Sequence, residues 1–217
     1  MAEDEREADE TGEQPGGWVE QRDVTDVAVL KALADPLRLA ILDALRRADG
    51  GPLTAKELAV ALGEPQTKLY RHIKQLEKAE LILVAGTRLV SGIVESRYSL
   101  AQRSIRLASE VFSEDSPVRD EAYGAMLAGM DRVREEFRAR VAEGRVDFSR
   151  PRDGSDSSPA IFADVSLRLT PERLRRLRDQ LGDIFDELTR EGPSEAEDAI
   201  EVTAFALLYG LRPGTES

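Results

Sequence analysis

The sequence contains no cysteine and a single histidine, His72. The first absence excludes disulfides, thiolate metal sites and cysteine nucleophiles together, and the second excludes a zinc site built from several imidazoles. Aromatic residues make up only 5% of the chain, and no apolar run approaches the roughly 20 residues that a membrane-spanning helix requires. Residues 1–17 are acidic and lack the basic start and apolar centre of a secretory signal. No phosphate-binding loop, nucleophile elbow or metal motif is present, and the many carboxylates form no pair spaced with a base or nucleophile. These absences predict a cytoplasmic protein that is not an enzyme, needs no cofactor or metal and does not enter a membrane. The 217 residues suffice for one large domain or two small ones with a buried core.

The formal charge of −12 argues at first sight against a polyanionic partner, but the charge is unevenly spread. Residues 1–35 carry 3 basic and 11 acidic side chains, a net of −8. Residues 36–103 carry 11 and 7, a net of +4, and residues 104–217 carry 16 and 24, a net of −8. A basic island therefore lies between two acidic flanks, and local field rather than total charge governs attraction to a polyanion.

Residues 1–17 have no apolar periodicity and end in Pro15-Gly16-Gly17, predicting a disordered acidic tail. Val24, Val27, Leu30, Leu33 and Leu37 recur at helical spacing, and Asp35-Pro36 is a cap followed by a favoured first helical position, opening a second helix that runs to about Leu45. Thr54 and Glu57 form a capping box for a short helix that Gly63 ends. The next helix spans residues 65–80. From Leu81 the pattern is strand-like, with Ser91-Gly92 as the turn of a hairpin. Helix, helix, capped short helix, helix and hairpin is the order of a winged helix-turn-helix. Beyond it, residues 101–113 read as helix, 118–143 as a long amphipathic helix, 144–159 as a loop, 163–169 as a half-buried strand, a helix starting at Thr170-Pro171 follows, and 199–210 read as a last strand. The predicted class is α+β, with a tail at 1–17, a winged helix-turn-helix domain at 18–103 and a helix-strand-helix-strand region at 104–217 for dimerisation or effector binding.

The helix over 65–80 carries the most chemical information. At 100° per residue, Leu69, Ile73 and Leu76 lie within about 60° of one another and face inward, while Thr67, Arg71, Lys74 and Lys78 occupy a similar arc on the other side. Tyr70 and Lys68 flank that stripe. A cationic helix packed across a short turn onto a capped helix has the shape that enters a DNA major groove. Arginine there can bond guanine in bidentate fashion, Gln66 can pair with adenine, and lysines neutralise phosphate. Backbone N–H groups beginning at Thr54 offer a helix N-terminus to a phosphate, and Arg88 and Arg97 on the hairpin can reach the backbone or the minor groove. The candidate DNA-contacting set is thus Thr54, Gln66, Thr67, Lys68, Tyr70, Arg71, Lys74, Arg88 and Arg97.

Leu33-Ala34-Asp35-Pro36-Leu37-Arg38-Leu39-Ala40-Ile41-Leu42, Leu62-Gly63 and the run from Tyr70 to Ile82 resemble the opening, turn, recognition helix and exit of ArsR-like winged-helix transcriptional regulators. The resemblance covers about residues 24–101. It implies a dimeric bacterial repressor or activator on an inverted-repeat operator, with Gln66, Thr67, Lys68, Tyr70, Arg71 and Lys74 at recognition positions. The sequence departs from the family at Glu80, where glycine is usual, and in lacking the cysteine ligands of the metal-sensing branch, so it is no thiolate metal sensor.

Several features keep two readings. His72 either packs or touches a base. The acidic tail either solvates or competes with DNA for the basic face. The helix over 118–143 is either a dimer seam or packs within its own subunit. Met126, Met130, Phe162, Phe185 and Phe205 either line an apolar pocket for a small-molecule effector or form ordinary core. The expected function is a sequence-specific regulator binding double-stranded DNA as a homodimer. The alternative is a winged helix that docks an acidic protein partner.

Overall fold

The computed structural model describes residues 19–48, 51–90, 92–148, 161–194, 196 and 199–211. The acidic tail and most of the predicted loop at 144–159 lie outside these residues. The chain is α+β and divides into two compact units, one ending at Ala125 and the other beginning at Met126. No helix among the described residues is long and apolar enough to cross a membrane.

The first unit opens with strand β1 (Val19–Val24), then α1 (Val27–Leu33) and α2 (Pro36–Arg46). Two aspartates set the helix starts. Asp26 accepts from the amides of Ala28 and Val29 at 2.6 and 3.3 Å, and Asp35 accepts from Arg38 N at 3.0 Å with Pro36 in the first turn. Each such cap stabilises a helix by about 1 kcal/mol. The two-residue strand β2 (Leu53–Thr54) leads into α3 (Ala55–Leu62) and α4 (Gln66–Lys78). Then β3 (Ile82–Val90) and β4 (Ile93–Leu100) form the predicted hairpin, and β5 (Gln102–Leu107) follows. A 3₁₀ turn at Ser109–Phe112 precedes α5 (Arg119–Ala142), which begins in this unit and continues into the second.

The sheet order β2-β4-β3 is antiparallel, with Thr54 opposite Arg97 and Ile82 opposite Leu100. β3 runs unbroken through Gly86, with an irregularity between Val84 and Gly86. Leu30, Ile41, Leu58, Leu69, Ile73, Leu76 and Leu81 are fully buried together. Burial of each such side chain contributes about 1.5–3 kcal/mol, and together they fix which face of α4 points outward.

Three sequence expectations are corrected. The helical pattern beginning at Val24 starts only at Val27, because 19–24 is extended and pairs with β5. Residues 101–113 are not a helix: β5 runs parallel to β1, from Val19 opposite Gln102 to Val24 opposite Leu107. The predicted strands at 163–169 and 199–210 are irregular, since a strand requires a hydrogen-bonded neighbour and neither segment finds one among the described residues. Their alternating apolar side chains, Val165 and Val202 among them, are exposed except for Leu169, which is half-buried.

The second unit contains the rest of α5 and α6 (Pro171–Glu191), which Thr170 caps by accepting from Arg173 N at 3.3 Å. Glu201 accepts from Arg140 and Arg145 at 2.6 and 2.9 Å, and Phe137 meets Phe148 edge to face. The Glu201 contact raises the pKa of Arg140. No residue of α6 is buried. Phe162 is 86% exposed and Phe205 is also exposed, so the aromatic set proposed for an effector pocket is not enclosed.

Candidate nucleic-acid interface

The surface is built from α3, the turn after it, α4 and the β3–β4 hairpin. The α3 start is held by a reciprocal pair. Thr54 Oγ1 accepts from Glu57 N at 3.2 Å, while the Thr54 amide and hydroxyl donate to Glu57 Oε2 at 2.7 and 2.8 Å. Those two donors, the backbone one first, hold the Glu57 carboxyl below its ordinary range. The helix ends at Gly63 in the left-handed region, φ 64°, where a side chain would be strained. Pro65 then leads directly into α4.

On α4, Leu69, Ile73 and Leu76 are wholly buried, and Thr67, Lys68, Tyr70, Arg71, Lys74 and Lys78 are exposed. The two faces separate as the periodicity requires. Gln66 is half-buried and donates from Nε2 to the Tyr70 hydroxyl at 2.9 Å. Lys68 pairs with Glu64 at 2.8 Å and Lys74 with Glu77 at 3.1 Å. The hydrogen bond to Glu77 raises the Lys74 pKa, with the attraction of the same carboxylate second. Arg71 has no hydrogen bond or ion pair among the described residues. Exposed pairs of this kind are worth about 0–1 kcal/mol, so they surrender their cations easily to a stronger anion.

The hairpin contributes less. Arg88 is exposed and pairs with Glu95 at 2.8 Å, a hydrogen bond that raises its pKa. Arg97 is half-buried, and its Nε and Nη2 donate to the Pro52 carbonyl at 2.9 and 2.6 Å. It ties the hairpin to the segment before α3 instead of presenting its full fork. Thr54 is corrected outright. It is 1% exposed and its hydroxyl is committed to Glu57, so it caps a helix and has no access to a phosphate. His72 is half-buried, with Nδ1 3.4 Å from Asp35 Oδ1 but not aligned as a hydrogen bond, which is the packing reading.

Two arginines that position α4 escaped the sequence reading. Arg38 donates from Nε to Ala32 O at 2.7 Å, from Nη2 to Lys31 O at 2.6 Å and from Nη1 to Gln75 Oε1 at 2.7 Å, joining the end of α1 to α4. Arg22 on β1 donates from Nη1 to the carbonyls of Ala79 and Glu80 at 2.9 and 2.8 Å. It clasps the turn after α4, where Glu80 has φ 55°. That left-handed value explains physically why glycine suits the position and why this chain's glutamate there is a departure. Gln102 is buried and donates to Leu81 O at 3.0 Å beside the same turn. Arg38 sits inside the quoted Leu33–Leu42 run, but no spacing in one sequence discloses that its fork reaches three carbonyl-type acceptors.

Residues 33–85 match a family model described as a helix-turn-helix domain. Among solved structures, the chain is similar to HlyU from Vibrio cholerae N16961, with 26% identity over 48% of this chain and 88% of that one, and a TM-score of 0.28. No curated protein matches it.

Proposed function

We propose that this protein is a sequence-specific transcription regulator that binds double-stranded DNA as a homodimer on an inverted repeat. The observation that carries the reading is the outward face of α4: exposed Thr67, Lys68, Tyr70, Arg71 and Lys74 on a helix whose other face is anchored in the core. The helix-turn-helix match over 33–85 lends independent support. Arg71, without a partner among the described residues, is suited to bidentate contact with a guanine edge, and Gln66 to adenine. In this reading Lys68, Lys74 and Arg88 neutralise phosphates, exchanging Glu64, Glu77 and Glu95 for the duplex. Arg97 supplies what remains of its fork, and Thr54 acts only through α3. ArsR-like regulation through a bound effector is compatible with this reading, thiolate metal sensing is not, and the reading includes no enzymatic activity.

The test is binding of the full chain to a selected duplex, with and without Arg71→Ala and Lys74→Ala together. Each dimer neutralising roughly five to eight phosphates gives a slope of log K against log salt of about −5 to −7. The double variant is expected to lose specific binding while keeping its helical signal and assembly. Unaltered binding would place the DNA surface elsewhere, and salt-sensitive capture of an acidic protein without any duplex preference would favour the protein-docking alternative.

A further inference from the structure

We propose that α6 is a self-complementary docking surface that pairs antiparallel with α6 of a second copy of this chain. The proposal supplies a surface for the homodimer proposed above and is independent of what that dimer binds.

The first observation is an apolar seam that is only partly covered. Leu174, Leu177, Leu181, Ile184 and Leu188 are spaced three, four, three and four, the alternation that keeps one stripe facing a partner helix. Over 21 residues the helix is about 31 Å long, enough for three heptads. Leu174, beside Gly210, and Leu181 are half-buried, but no residue of α6 is fully buried, and Ile184 and Leu188 are each 51% exposed. Such a stripe on an otherwise charged helix has no reason to be maintained in water.

The second observation selects the occupant. The charges of α6 are segregated along its axis: residues 172–178 carry four arginines and one glutamate, a net of +3, while 179–191 carry five acids and one arginine, a net of −4. This is the reverse of what a lone helix favours, since the helix dipole prefers anions near the N-terminus and cations near the C-terminus. Within the helix, Arg175 precedes Asp179 by four, the weaker order, while the acid-first pair Glu172–Arg176 lies at 3.4 Å. A parallel neighbour of the same sequence would set like against like. An antiparallel copy sets each basic half beside an acidic half and opposes the two dipoles, and a two-fold axis across the helix generates that arrangement from one surface. The arrangement that is unfavourable within one α6 is therefore complementary between two.

The experiment uses the full chain in sedimentation velocity at micromolar concentration and low salt. A dimer is expected that weakens at high salt. Arg175→Glu with Arg176→Glu is expected to raise the dimer dissociation constant at least tenfold, and adding Asp183→Arg with Glu187→Arg to restore it. A lost fold would not be restored by further charge changes, and the helical signal and melting of each variant are recorded beside it. Because the chain has no cysteine, introduced thiols are the sole targets of a short bis-maleimide. Arg173→Cys and Thr189→Cys chains are expected to cross-link when mixed and not when alone. A monomeric parent overturns both this proposal and the dimer reading. A dimer indifferent to the charge reversal, or one in which each thiol variant links to itself, overturns the α6 pairing and leaves the dimer reading standing.

Discussion

The two units of this chain are patterned equally well and end differently. In the first, α4 turns Leu69, Ile73 and Leu76 into a core shared with α1, α2, α3 and the hairpin, and all three are fully buried. In the second, α6 carries a stripe at least as regular and fully buries none of it. Periodicity declares that a face requires cover but is silent on whether the cover is intramolecular. The first unit contains enough complementary elements within about a hundred residues to close on itself, whereas the second presents alternating segments and a seam with their apolar side chains mostly in solvent.

The largest test of that contrast compares truncations of the two stripes. Leu76→Ala is expected to lower the stability of the first unit by about 2–5 kcal/mol in denaturant unfolding, as cavity-forming core changes do. Leu188→Ala, removing a similar volume from α6, is expected to leave the same transition within about 0.5 kcal/mol. Comparable losses would mean that α6 belongs to the first core after all. An intermediate effect is expected at Arg38. Its alanine variant leaves the carbonyls of Lys31 and Ala32 and the Gln75 amide without their donor, costing about 1.5–3 kcal/mol. Arg38→Lys should recover only part, because a compact ammonium does not span acceptors spread over the three nitrogens of a planar guanidinium.

The smallest effect distinguishes the two helix caps. Thr54 is answered by Glu57, whose carboxyl is held below its ordinary 4.5, so this cap contributes fully above that value and weakens as pH falls through the lower folded one. Thr170 faces Arg173 at the equivalent position, with no carboxylate to titrate. Amide exchange at the start of α3 is therefore expected to accelerate on acidification below the carboxylate range, while that at the start of α6 gains no comparable acid dependence from its cap. Glu57→Gln should flatten the α3 response, and a persisting slope in that variant would assign it to another group.

What was legible follows the range of each signal. Asp35-Pro36, the Thr54–Glu57 box, Gly63 and the two faces of α4 act within one turn of helix, and all of these local features stand as the residues foretell. The hairpin was equally plain because its turn joins consecutive strands. β1 and β5 were not, since parallel strands distant in sequence carry no turn between them to announce the pairing. The phosphate role given to Thr54 failed for a related reason: a capping box that is geometrically complete commits to Glu57 the Thr54 amide that was expected to face a phosphate. The alternation at 163–169 and 199–210 described side chains correctly as apolar and polar by turns, but hydrogen-bonded neighbours are a property of the assembly of chains in space.

The parallel β1–β5 ladder has a consequence for the order in which the molecule assembles. Asp23 and Arg106, joined across it at 2.7 Å, are 83 residues apart, whereas the capped helices and the hairpin rely on neighbours close in sequence. Loop closure over such a span is entropically expensive until the intervening chain is already compact. β1 and β5 are thus expected to pair after the helical core has drawn their ends near, an order that amide-exchange labelling during refolding would read.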